Sequence, residues 1–390
     1  MSDPIVRIAA RGDGVSASGR HVPFAVPGDT VLDDGTLEHG PHHQAPPCRH
    51  FPECGGCQLQ HSDDHAYRAY LVSRVAGALD QHGLSPDIRE PYLSPPDSRR
   101  RASLRALTAG QGAVLGFNAE RSHRIVDMRE CHILRPELFA LVAPLRALLA
   151  GLLKPRRPGE ARLTLTDQGV DVVLGGIEAA GLEAAERLTE FCTRHRLARM
   201  SLDQGLGPET LYEPVPATVT LSGTPVPFPV GAFVQATADG EAALVAAVRE
   251  AVGEAKRTAD LFAGIGTFAL ALPGPVYAAE ASRDAVLALK RASPAIATEH
   301  RDLYRRPLDS SELANFEAVV LDPPRAGAAE QVAALASSSV LRIAYVSCNP
   351  ATFARDARTL VDGGYALSWV RPVGQFRWST HVELAAAFER

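Results

Sequence analysis

The sequence predicts an α/β protein with a parallel sheet in its carboxyl-terminal part and smaller β-rich segments before it. Three observations carry this. From residue 239 onward, apolar runs of strand length alternate with helical patterns. Several of those runs end in turns built from Gly, Pro or Asn, as at Gly264, Pro323 and Asn349. Residues 5–31, by contrast, hold short β-like runs between closely spaced glycines. A chain of 390 residues has room for two or three domains.

Residues 5–31 read as a small β unit closed by the Pro27-Gly28-Asp29 turn, and the polar stretch 33–47 as a linker. A helical pattern covers about 65–82. Residues 162–166 and 170–174 form a predicted β-hairpin about Asp167-Gln168-Gly169. Residues 182–194 repeat apolar positions on one face through Ala185, Leu188 and Cys192, which makes Cys192 a core residue. Then come a helix at 241–256 and strands at 257–262 and 276–280. A helix from Arg283, strand 318–322, another helix, strand 342–347 and a helix from Pro350 to Asp362 complete the series. Such alternation implies parallel strands joined by right-handed crossovers.

The chain is 46% apolar and 22% charged, an ordinary globular composition. The first residues lack a basic-then-apolar signal pattern and no apolar run could span a bilayer, so a cytoplasmic protein without membrane contact is expected. A net charge of -5 gives no global attraction to nucleic acid. An RNA surface would need a local patch, and Arg99-Arg100-Arg101 with Arg105, or Lys154-Pro155-Arg156-Arg157, are the densest candidates.

Chemistry concentrates at strand ends. Asp260-Leu261-Phe262-Ala263-Gly264-Ile265-Gly266-Thr267-Phe268 is a strand, a glycine turn and a helix start, where backbone N–H groups can approach a ligand. Glu280 ends the next strand, where a carboxylate can accept from ribose hydroxyls. Asp322-Pro323-Pro324-Arg325 ends a third. Cys348 follows a fourth, flanked by Ser347 and Asn349 at a helix amino end expected to favour a thiolate. That placement marks a nucleophile rather than a core thiol. Cys48, Cys54 and Cys57, with Cys131, could hold tetrahedral zinc or a [4Fe–4S] cluster; four thiolates suit either.

These blocks, with Phe233-Val234-Gln235, Glu130-Cys131-His132-Ile133-Leu134 and His381-Val382-Glu383, resemble in type and order the S-adenosylmethionine-dependent RNA uridine-5 methyltransferases, specifically the iron–sulfur-containing 23S rRNA type. The resemblance runs from about Cys48 to the end. It implies a class I methyltransferase (Rossmann-like) catalytic domain at 216–390. It also implies an iron–sulfur and central mixed β/α RNA-binding domain at 48–215, and a shortened β segment with linker at 1–47. The remaining strands of the family's amino-terminal β-barrel would be missing before Cys48. In this reading Cys348 adds to C6 of uracil, C5 takes the methyl group, and Glu383 removes the C5 proton before elimination. Asp322 orients the uracil or the cofactor. Gln235, Phe262, Thr267, Glu280, Asp302 and Asp322 would bind S-adenosylmethionine. Cys48, Cys54, Cys57 and Cys131 would hold the [4Fe–4S] cluster, with zinc as the alternative. The implied partner is RNA, ribosomal rather than transfer RNA, bound by a monomer. Rival readings are the same reaction on transfer RNA, or a non-catalytic RNA-binding or redox-sensing protein of this fold.

Overall fold

The computed structural model describes residues 2–390; Met1, the first residue of the 1–47 segment, lies outside the described residues. The chain divides into two compact units. One holds residues 1–70, 95–217 and 376–380; the other holds 71–94, 218–375 and 381–390. No helix among the described residues is long and apolar enough to cross a membrane.

In the first unit, a five-stranded sheet contains Asp3–Ile8, Gly14–Ser16, His21–Val22, Thr30–Val31 and Leu37–Glu38. The last of these lies in the stretch expected to be a linker, and His43 there donates through Nδ1 to buried Asp29 at 2.8 Å. Polar composition hid one short strand, which pairs with Thr30–Val31. The β unit therefore continues past Val31. A six-stranded sheet follows, including the expected hairpin as Gly159–Thr166 and Gly169–Gly175. Helix Gly181–Arg194 packs Leu188, Phe191 and Cys192 into the same core as Leu163, Val172 and Met200, so Cys192 is a core thiol.

The second unit carries the parallel strands β1 Thr258–Leu261, β2 Val276–Glu280, β3 Ala297–His300, β4 Ala318–Leu321 and β5 Arg342–Ser347. Then come β6 Ala366–Gly374 and β7 Glu383–Glu389. Their spatial order is β3-β2-β1-β4-β5-β7-β6. Order reverses between β1 and β4, which opens the crevice where α/β sheets bind ligands. Strand β7 runs antiparallel to both neighbours, so the sheet is mixed rather than wholly parallel. Alternating patterns could not show this, because β6 and β7 have no helix between them. Asp87–Ile88 and Tyr92–Leu93 add to the outer side of β6. Helices α1 Ala238–Val252, α2 Arg283–Ala292, α3 Ala329–Ala336 and α4 Pro350–Asp362 belong to this unit. Leu244, Val248, Val320, Val346 and Ala387 share its core.

Candidate active site and cysteine cavity

Register alone collects the expected catalytic residues at the carboxyl edge of the sheet. Ser347 of β5 pairs Leu384 of β7, so one further antiparallel step sets Cys348 opposite Glu383. Leu321 of β4 pairs Leu261 of β1, and Leu261 pairs Ala279 of β2. The next step on each strand is Asp322, Phe262 and Glu280. These residues share one rim because parallel strands all finish on the same side.

Cys348 precedes α4. The cap of that helix is Asn349, whose Oδ1 accepts from the Ala351 N–H at 3.1 Å, with Pro350 at the first helical position. Asn349 also donates through Nδ2 to the Arg325 carbonyl at 3.0 Å, and Thr352 donates to the same oxygen at 3.2 Å. The helix start thus holds the loop that follows Asp322. The thiol is not a thiolate as placed. Burial first, then the carboxylates of Glu383 and Asp322, push it up to about 11, against the pull of Arg325. The helix end expected to favour a thiolate is outweighed by a dry site and two nearby acids. Glu383 opens β7 and is 8% exposed.

Asp322 is half-buried, and burial pushes its carboxyl up to about 7. Gln235 donates to it through Nε2 at 3.4 Å. Behind it, fully buried Asp260 accepts from the Ala269 N–H at 2.8 Å with one oxygen, while the other has no partner among the described residues. Burial, and then the charges of Asp322 and Glu280, hold Asp260 protonated well above the ordinary range. Sequence reading placed Asp260 in a motif without giving it this role.

The remaining expected contacts divide. Glu280 accepts from the N–H of Gly264 at 3.0 Å and of Ser282 at 2.7 Å, so it braces the glycine turn. Phe262 sits at φ +64°, a strained backbone for a bulky residue, with its ring 5.5 Å from that of Tyr304. Thr267 is buried. Asp302 is exposed and engaged in its own turn, accepting from the N–H groups of Tyr304 and Arg305. Gln375 was not signalled by any motif, since it follows an apolar strand. It is buried and bonded to Gln235.

In the first unit, Cys48, Cys54, Cys57 and Cys131 line one cavity with Phe51, Phe117, Met128 and Ile133. Gly55 and Gly56 permit the close turn between two of them. A Cβ on Gly55 would meet the Asn118 carbonyl at 2.8 Å, and one on Gly56 the Phe117 ring at 3.1 Å. Burial pushes Cys57 up to about 12 and Cys131 up to about 11, with neighbouring thiols adding to both. Four thiols in such a place stay neutral unless a cationic centre takes their protons' place. The donor set suits a metal group. As placed, no three His, Cys, Asp or Glu side chains among the described residues are arranged to hold a metal ion. Arg99 stacks over Phe117 and Phe376 beside this cavity, which removes it from the basic surface patch expected at 99–105.

Comparison with known proteins decides the class. The family described as tRNA (Uracil-5-)-methyltransferase matches residues 227–390. An uncharacterized RNA methyltransferase of Zymomonas mobilis is 51% identical over 99% of both chains. A 23S rRNA (uracil(1939)-C(5))-methyltransferase of Chromohalobacter salexigens is 34% identical over 89% of this chain and 76% of its own. The chain belongs to the RNA uracil-5 methyltransferase family. Members are S-adenosylmethionine-dependent enzymes that methylate C5 of uracil in RNA. The fold agrees: the Pyrococcus abyssi tRNA (uracil-54, C5)-methyltransferase, solved with S-adenosyl-L-homocysteine, superposes over 100% of both chains. The TM-score is 0.76 at 21% identity. This likeness gives the class I methyltransferase fold expected from the sequence.

Proposed function

We propose that Cys348 and Glu383 are the nucleophile and the base of uracil C5 methylation, and that the substrate is 23S ribosomal RNA. The observation that carries the roles is the register that sets Cys348 opposite Glu383 on adjacent strands, with Asp322 on the same rim. C5 of uracil is too weak a nucleophile to take a methyl group unaided. Once the Cys348 thiol has given its proton to solvent, the thiolate adds to C6, and the C5–C6 π electrons become an enolate able to attack. S-adenosylmethionine supplies the electrophilic methyl group. Glu383 then takes the C5 proton, the enolate reforms, and its electrons expel the Cys348 thiolate from C6. A thiol held near 11 stays protonated until a cation approaches. Arg325 already pulls in that direction.

Gln235, Phe262, Thr267, Glu280 and Asp302 belong in this reading to the cofactor side of the rim, with Asp322 facing uracil or cofactor. A uridine in folded RNA is stacked, so it would be flipped out to reach Cys348. Ribosomal RNA is favoured by the 34% identical relative named for 23S rRNA. Transfer RNA is the second reading, because the matching family carries that name. The cysteine cavity is assigned to a [4Fe–4S] cluster held by Cys48, Cys54, Cys57 and Cys131, with zinc as the rival; the cluster supplies no step of methyl transfer.

Two experiments test this. Mapping 5-methyluridine by mass spectrometry, in RNA from cells with and without the protein, should lose one site in 23S rRNA; loss in transfer RNA instead selects the second reading. In vitro, Cys348→Ala should neither methylate nor cross-link. Glu383→Gln should add and methylate but turn over about 10²–10⁴-fold more slowly. Its methylated adduct should run as a ribonuclease-sensitive band on a denaturing gel. Methylation by Cys348→Ala, or an adduct at Cys192, would overturn the mechanism.

A further inference from the structure

We propose that Gln375 is a positioning residue that fixes which end of the Gln235 amide meets Asp322. The inference rests on the reading of Gln235 and Asp322 given above. Gln375 lies just beyond β6, is 2% exposed, and makes two short bonds. Its Oε1 accepts from the Ala236 N–H at 2.8 Å, and its Nε2 donates to Gln235 Oε1 at 2.8 Å. A backbone N–H can only donate, so the Gln375 amide has one admissible orientation. That orientation in turn leaves Gln235 one choice: carbonyl toward Gln375, NH₂ toward Asp322, 3.4 Å away. Orientation is thus handed on from the backbone through two buried amides to a carboxyl group at the reacting rim.

Gln375 can enter this place because the first turn of α1 carries Gly240. A Cβ there would meet Gln375 Cβ at 2.7 Å and Thr237 Oγ1 at 2.6 Å. Thr237, the cap of α1, accepts from the Gly240 N–H at 3.0 Å and is bonded to Ser94 at 2.8 Å. The start of the helix is therefore fixed independently of Gln375, and a change at Gln375 leaves that cap intact.

The consequence is electrostatic. An NH₂ facing Asp322 favours its charged form, and a carbonyl there would favour the protonated form. Burial already brings Asp322 into the neutral range, and its titrating neighbours are Asp260 behind it and Cys348 beside it. Losing Gln375 removes the donor that holds the Gln235 carbonyl away from Asp322. Asp322 then holds its proton to higher pH.

The test compares full-length wild type with Gln375→Leu, Gln375→Glu and Cys348→Ala, measuring kcat/KM for RNA methylation from pH 5.5 to 9 (a window of about 1.5–2 units either side of neutral). Gln375→Leu should lower kcat/KM about tenfold near neutral pH and move the acid limb upward by about one unit. Gln375→Glu serves as the conservative control. Its carboxyl, when protonated, offers the same acceptor and donor; when ionised it can only accept. Its activity relative to wild type should therefore recover toward low pH, a signature that a packing defect does not produce. Unchanged limbs and rates in both variants, with Cys348→Ala inactive, overturn the proposal and leave the site reading standing. Equal loss at every pH in Gln375→Glu also overturns it, by showing a purely structural role. Methylation by Cys348→Ala overturns the site reading itself. If Gln375→Leu does not fold, the Gln375→Glu profile decides alone.

Discussion

Asp322 shows how one residue's burial reaches stability. Its carboxyl is pushed up to about 7 by desolvation, while in the unfolded chain it titrates near the ordinary carboxylate value. Below that ordinary value both states hold the proton and nothing is lost. As pH rises toward 7 the unfolded chain ionises first, so the folded state loses stability relative to it. Asp322→Asn cannot ionise and escapes that loss. We expect the variant to gain about 2 kcal/mol over wild type between pH 4 and pH 8, taking the shift at roughly half weight for partial exposure. Urea unfolding at the two pH values measures it, and a pH-independent difference would refute it. The same variant should lose methylation, because the group that would face uracil or cofactor is gone. Stability and activity then move in opposite directions at one position, as strained functional sites commonly do.

At the scale of elements, α4 both caps itself and steadies the loop after Asp322, and Asn349 divides the two tasks between its two side-chain atoms. Oδ1 caps the helix; Nδ2 holds the Arg325 carbonyl. Asn349→Ala should lose both and cost about 1 kcal/mol in stability. Asn349→Asp retains a capping oxygen and should keep stability within about 0.5 kcal/mol, yet release the loop. Chemical denaturation and steady-state kinetics separate the two. Equal stability loss in both variants would show that the cap is not the stabilising contact. Further support for the loop comes from Asp356 of α4, which accepts from the Ala328 N–H and the Tyr345 hydroxyl at 2.8 and 2.6 Å. Much of this element was legible beforehand: Asn-Pro after an apolar strand signals a capped helix start, and the helix does run from Pro350 to Asp362. Strands β6 and β7 were not legible as a pair, because an antiparallel insertion has no crossover helix to announce it.

Over the whole molecule, a net charge of -5 leaves RNA binding to local basic groups. Arg105 and Arg121 line an open groove with Ser103, Asn118 and His123, whereas Arg99 is withdrawn against aromatic rings. Arg105→Ala with Arg121→Ala should flatten the plot of log affinity against log salt by about 0.7–0.9 per phosphate contact removed. Arg99→Ala should leave that slope unchanged. Filter binding over a salt series checks both expectations. The cysteine cavity is also a property of the whole chain, since Cys131 meets the 48–57 segment only after folding. Protein purified without oxygen should contain iron and sulfide in comparable amounts and lose both in Cys57→Ser and Cys131→Ser, while Cys192→Ala keeps them. Colourless protein with one zinc would refute the cluster and leave methylation untouched.

The sequence by itself determined the ends of strands. Apolar runs and the turns that stop them put Glu280, Asp322 and Cys348 at carboxyl ends, because parallel strands share one direction and local patterning marks where each stops. Helix boundaries at α4 and the core role of Cys192 follow from the same local periodicity. Only tertiary structure decided what those ends do to one another. Spatial strand order is nonlocal, so no local pattern could set Glu383 of β7 opposite Cys348 of β5. The thiol's protonation depended on that neighbour and on burial rather than on the helix end visible in sequence. Gln375 was silent for the same reason: its bonds reach Gln235 and Ala236, which stand far away along the chain and adjacent in space.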